Sequence, residues 1–143
     1  SDVSEFVAVY GRRRVGKTFL IRELFKGRLA FYLTGLANGG FSEQMANFNL
    51  ALRDAGLKDM PLSKSWIFAF QQLRTLIEKS RKKKKVIFLD EMPWLDTPKS
   101  KFLSALEHFW NSWASGRNDI MLIVCGSSTT WWSREGSRYT FSR

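Results

Sequence analysis

VYGRRRVGKTFLIREL, residues Val9 to Leu24, sets three consecutive arginines inside a glycine-bounded loop that ends on lysine and threonine. Gly11, four residues, then Gly16, Lys17 and Thr18 satisfy the phosphate-binding loop pattern G-x-x-x-x-G-K-[ST]. Glycine at both ends lets such a loop wrap tightly, so that successive backbone N–H groups and the start of the following helix point at phosphate oxygens. The flanks agree. Phe6 to Tyr10 is a short apolar run of the kind buried in a parallel sheet. Beyond Thr18, the residues Leu20, Ile21, Leu24 and Phe25 recur at helical spacing as the expected inner face, with Gly27 placed to close the helix in a left-handed turn. In this pattern Lys17 reaches the β- and γ-phosphates as a point charge, and the Thr18 hydroxyl coordinates Mg²⁺.

A second stretch completes the reading. Val86-Ile87-Phe88-Leu89 followed by Asp90-Glu91 describes a buried strand that delivers two carboxylates to its C-terminal rim, the edge at which open α/β sheets bind ligands. Asp90 is there expected to bind Mg²⁺ together with Thr18. Glu91 is placed to polarise a water for in-line attack on the γ-phosphate; the plainer alternative is a surface carboxylate capping the next turn. Ile120 to Gly126 is a further buried strand, and Ser127, Ser128 and Thr129 follow at its rim. A hydroxyl there either senses the γ-phosphate or caps a helix.

Between these stretches strands and helices alternate. Leu29 to Thr34 reads as a strand leading into a glycine-rich loop, Gly35 to Gly40. Ser42 is the expected N-cap of a helix carrying Met45, Phe48 and Leu52 on one face and stopping at Gly56. Pro61, Ser63 and Ser65 mark a loop. Trp66, Phe70, Leu73 and Ile77 then form one helical stripe, expected in the core. A two-proline loop, Met92 to Pro98, precedes a helix with Phe102, Leu106, Phe109, Trp110 and Trp113 inward. His108, the only histidine, is expected at the surface rather than at a metal.

With 143 residues, 44% of them hydrophobic and 15% aromatic, the chain is ordered and long enough for one domain with a real core. No apolar run approaches the ~20 residues that span a bilayer, so no membrane is expected. The lone cysteine, Cys125, excludes an internal disulfide and suits a cytoplasmic protein. The net charge of +10 is concentrated in Arg12-Arg13-Arg14, in Arg81-Lys82-Lys83-Lys84-Lys85 and near the C-terminus. Such an excess admits DNA or an acidic protein surface as partner. The 81–85 run, with no aromatics interleaved, reads first as a solvated linker. The chain opens at Ser1 without methionine and is expected to be a fragment.

The strings GRRRVGKT and VIFLDEMPWLD, with ALEHFWNSWAS and LIVCGSS, resemble the prokaryotic, archaeal-type ATPases of the AAA+/STAND division of P-loop proteins over roughly residues 5–130. The resemblance implies a three-layer α/β P-loop fold whose parallel sheet is flanked by helices, with Asp90 and Glu91 on a strand between two others. It assigns nucleotide binding to Gly11, Gly16, Lys17 and Thr18, Mg²⁺ to Asp90, water activation to Glu91 and the sensor position to Ser127 or Ser128; with the loop pattern itself, the expected nucleotide contacts are Gly11, Arg12, Arg13, Arg14, Val15, Gly16, Lys17, Thr18 and Phe19, the expected metal ligands Thr18 and Asp90, and the expected catalytic residues Lys17, Glu91 and Ser127. It also implies a fifth core strand, a lid with a sensor arginine, and an arginine finger, usually from a neighbouring copy in a homo-oligomer. The tail WWSREGSRYTFSR does not match, so residues 1–143 are expected to be an ATPase core truncated before the last strand and lid, with 131–143 irregular. Two function classes remain at this point: Mg²⁺-dependent ATP hydrolysis, and a nucleotide-gated switch in which binding is the output. A small-molecule kinase ranks below both, and no N-K-x-D string is present to read guanine.

Overall fold

The computed structural model describes residues 3–10 and 16–127. Four strands and four α-helices follow in the order β1 (Glu5–Tyr10), α1 (Lys17–Leu24), β2 (Leu29–Thr34), α2 (Phe41–Asp54), α3 (Trp66–Lys79), β3 (Lys85–Asp90), α4 (Phe102–Ser112) and β4 (Ile120–Gly126). Among the described residues they build one parallel sheet in the order β1-β4-β3-β2. Strands separated by helical crossovers pair in parallel, and a strand covered on both faces carries apolar residues on both. β3 shows this fully: all six of its residues are buried.

The two faces hold unequal layers. Ile87, Leu89, Leu122 and Val124 meet α2, α3 and α4 in the main core, where Trp66, Phe70, Phe102 and Phe109 stack edge to face or tilted at centroid distances of 5.0–6.2 Å. The alternate residues Val86, Phe88, Ile123 and Cys125 face the other way, toward Ile21 of α1. The result is the expected three-layer architecture with β3 between β4 and β2.

Most helices follow their periodicity. Met45, Phe48 and Leu52 of α2, the Trp66–Ile77 stripe of α3, and Phe102, Leu106, Phe109 and Trp110 of α4 are buried, while His108 is exposed. Trp113 is half-buried and caps α4. Two local expectations are corrected. Ser42 does not cap α2; the N-cap is Gly40, whose N–H donates to Glu43 Oε1 at 2.9 Å. In α1 only Ile21 is buried, whereas Leu20 and Leu24 are 58% and 63% exposed and Phe25 already caps the helix. Ile21 makes the buried apolar contact of this eight-residue helix with the sheet, and Phe25, just past its end, packs against the same cluster. Gly27 does adopt the left-handed conformation, at φ 87°.

The basic run is only partly solvated. Lys85 is buried as the first residue of β3, its Nζ 2.8 Å from Asp119 Oδ2. Lys82 and Lys84 donate to the carbonyls of Gly27 and Val3 at 3.0 and 3.1 Å. These lysines tie the lower ends of the strands together, because peptide carbonyls left there by the ending elements need donors.

Candidate functional site

Parallel pairing brings all four C-terminal strand ends to one edge: Tyr10 lies opposite Gly126, Leu89 opposite Val124, and Thr34 opposite Asp90. The same edge receives the start of α1. Gly16, its N-cap, sits at φ 94° in the left-handed region, where an added Cβ would meet no atom but the backbone would be strained. Lys17 and Thr18 are the first two helical residues, so their side chains and the unsatisfied N–H groups of the first turn gather at the rim.

The structure joins the two sequence stretches here. The Thr18 hydroxyl donates a hydrogen bond to Asp90 Oδ2. Asp90 is buried, and its second oxygen, Oδ1, accepts from the Glu91 N–H at 2.9 Å. Glu91 follows at φ 50°, a left-handed conformation that non-glycine residues adopt rarely, and it opens the short 3₁₀ turn Met92–Leu95. This reversal ends the strand at Asp90 and carries Glu91 onto the rim. Ser127 lies one residue beyond β4 at the same edge and is half-buried. Phe19, third in α1, is 67% exposed. Gly11, Arg12, Arg13, Arg14, Val15, Ser128, Thr129 and the 131–143 tail lie outside the described residues.

Charge around the site is legible in Cys125. Burial, followed by the nearby Asp90 carboxylate, pushes its thiol up to about 12, while Lys17 acts in the opposite sense. Cys125 therefore stays protonated and unreactive beneath the rim.

Three supporting features were not singled out from the sequence. Gly35 passes so close to Glu91 that a Cβ would stand 2.4 Å from the Glu91 carbonyl oxygen, while the Gly35 N–H donates to the Asp90 carbonyl at 2.9 Å. The only sequence signal was a glycine directly after a strand at the binding edge. Gln44 staples the following loop, accepting from the Leu36 N–H at 3.0 Å and donating to the Leu36 and Gly39 carbonyls at 2.7 and 3.1 Å. Thr34 Oγ1 donates to the Tyr32 hydroxyl at 2.8 Å beside Asp90, and the Arg22 guanidinium lies over the Tyr32 ring at 4.9 Å, tying α1 to β2.

The donor set at the rim is an alcohol and a carboxylate side by side, the hard oxygen ligands that Mg²⁺ takes. Two protein oxygens leave most octahedral positions to substrate phosphate and water, as in nucleotide sites. Among the described residues no helix is long and apolar enough to cross a membrane.

Comparison with known proteins agrees with this geometry. Residues 1–140 match a family described as an ATPase domain predominantly from Archaea. Solved structures of the same fold include a Walker-type ATPase of Pyrococcus abyssi, at TM-score 0.58 and 16% identity over 85% of this chain. The chain spans 40% of the length of that protein. No curated protein matches the chain significantly. The phosphate-loop spacing, the strand order around β3 and the matched span lead to one assignment: the chain belongs to the family of P-loop ATPase domains found predominantly in Archaea.

Proposed function

We propose that this domain binds ATP with Mg²⁺ at the sheet rim and hydrolyses the β–γ bond, as an ATPase core of AAA+/STAND type. The observation that supports this best is the Thr18–Asp90 hydrogen bond at the start of α1, with Glu91 next in the chain. In this reading the N–H groups of Gly16, Lys17, Thr18 and Phe19, with those of Gly11 to Val15, cradle the phosphates. Lys17 supplies the cation that faces the β- and γ-oxygens. Thr18 and Asp90 would hold Mg²⁺, which when bound offsets charge that develops on the phosphate oxygens. Glu91 accepts a proton from the attacking water, and its strained backbone fixes where the carboxylate starts. Ser127 donates to the γ-phosphate or to that water.

Arg12, Arg13 and Arg14 have a separate role. As three consecutive cations in the phosphate-loop sequence, the triplet raises the local potential for ATP or for an acidic partner.

The test compares ATP binding and ATP turnover in the wild-type chain and Glu91→Gln, alone and within the longer protein. Binding within threefold of wild type with turnover reduced at least about 100-fold, the lower range for a lost general base, supports the reading. Equal turnover removes Glu91 from the chemistry. Binding without turnover in the wild-type longer protein moves the function to a nucleotide-gated switch.

A further inference from the structure

The opposite margin of the sheet carries a feature that nucleotide binding does not use. β2 is a terminal strand, and no described residue pairs with its outer side. Its sequence, LAFYLT, contains no proline and no charge, the usual devices that keep an edge from recruiting another strand. Because the Gly35 N–H turns toward Asp90 of β3, strand alternation turns the N–H groups of Tyr32 and Thr34 away from the sheet. The Thr34 carbonyl is already taken by Asn47 Nδ2 at 2.9 Å, which marks where such pairing would stop.

A groove of about 980 Å³ runs beside this edge, walled by all six residues of β2 and by α2. At about 3.3 Å per residue the strand makes it about 20 Å long, an open channel suited to an extended chain more than to a compact small molecule. Beyond β2 its apolar lining includes Leu50, Ala51, Leu57 and Leu76, with Leu50 59% exposed. At the Leu29 end the groove meets Lys79 and Lys82, with Arg81 and Lys83 flanking Lys82 and Arg28 preceding Leu29 in sequence; Asp54 is the one acid lining it.

We propose that the β2 edge and this groove receive an extended segment of a partner protein, added as a further strand. Its backbone pairs with Tyr32 and Thr34, its apolar side chains enter the groove over Leu50 and Leu57, and its acidic flank lies against the Lys79–Lys82 end. Backbone pairing supplies affinity, alternate side chains supply selectivity, and the charge favours acidic over basic segments. The proposal is independent of ATP hydrolysis.

The probe is the peptide acetyl-Asp-Asp-Val-Thr-Val-Thr-Val-Asp-Asp-amide, titrated into the ¹⁵N-labelled chain. Two controls accompany it: a twin with alternate backbone amides methylated, and a twin with lysines in place of the aspartates. The expected result is shifts confined to β2 and α2, with amide exchange of Tyr32 and Thr34 slowed at least tenfold. Both twins should bind at least fivefold more weakly, and Leu50→Glu, on an exposed position, should weaken the acidic peptide about tenfold while keeping the spectrum of a folded chain. The proposal is overturned by no response at β2, by equal binding of the methylated twin, or by equal binding of the lysine twin. It is also overturned if Tyr32 and Thr34 are already protected without peptide. Protection that grows with protein concentration would assign the edge to a second copy, and concentration-independent protection would assign it to this chain itself.

Discussion

Thr18 and Asp90, 72 positions apart in the chain, are joined by a hydrogen bond from the threonine hydroxyl to the carboxylate at the C-terminal rim of a parallel sheet. Neither residue reaches the other by local structure. The contact exists because α1 begins and β3 ends at the same edge, and it presents two oxygen donors together before any ligand arrives. Thr18→Val, which keeps the shape and deletes the hydroxyl, should leave ATP affinity without Mg²⁺ within about twofold. The gain in affinity from Mg²⁺ should fall about tenfold, equivalent to about 1.4 kcal/mol and within the range for a typical single hydrogen bond. Calorimetric titrations with and without Mg²⁺ check this; an unchanged Mg²⁺ effect would separate Thr18 from the metal.

Gly35 is the steric neighbour of the turn that opens at Glu91. An alanine there would put its Cβ 2.4 Å from the Glu91 carbonyl oxygen, a backbone atom that cannot swing aside alone. Gly35→Ala should cost about 2 kcal/mol of stability, as overpacking does, and should move Glu91. Denaturant melts and ATP turnover should fall together, whereas Gly116→Ala, at an open position, should change neither.

Much of this architecture was legible because its signals are local. Val86–Leu89 and Ile120–Gly126 are apolar runs bounded by polar residues, and the spacing of Gly16, Lys17 and Thr18 carries its own geometry. The misread positions depend on what a residue meets across the fold. Leu20 and Leu24 look like core in the helical pattern, yet Ile21 is the only residue of α1 buried against the sheet. Ser42 is a favourable N-cap by type, but the helix starts two residues earlier, and its cap at Gly40 is closed by Glu43. Lys85 ends a run that reads as solvated, and only its pairing with Asp119 draws it into the sheet. Gly35 was visible as a loop glycine; its closeness to Glu91 was not, since that distance is set by pairing between β2 and β3.

Asp119 holds the starts of β3 and β4 together. Its carboxylate accepts from Arg117 Nε and Arg117 Nη2 at 2.9 and 2.8 Å and from Lys85 Nζ at 2.8 Å. The Arg117 hydrogen bonds, partly opposed by burial, hold it well below the ordinary carboxylate value. A folded value below the unfolded one means the contribution to stability is complete above about pH 3.8 and is lost as pH falls below that point toward the folded value. Asp119→Asn should therefore cost about 2 kcal/mol near neutral pH, because it leaves the buried Lys85 ammonium without its carboxylate. The difference from wild type should shrink as pH drops below 3.8. Chemical denaturation across pH 2.5–7, read for both proteins, checks the magnitude and the sign.

Lys17 is the first residue of α1 and faces the rim rather than the core, so it can be changed without opening a cavity. Titrating Mg·ATP into wild-type and Lys17→Ala chains by calorimetry, with circular dichroism confirming equal helix content, isolates phosphate recognition from folding and from turnover. Loss of the cation aimed at the β- and γ-oxygens should weaken binding at least a hundredfold. Affinity within twofold of wild type in a folded Lys17→Ala chain would mean that the nucleotide, if bound at all, does not sit at the start of α1, and the assignment of this loop would fall with it.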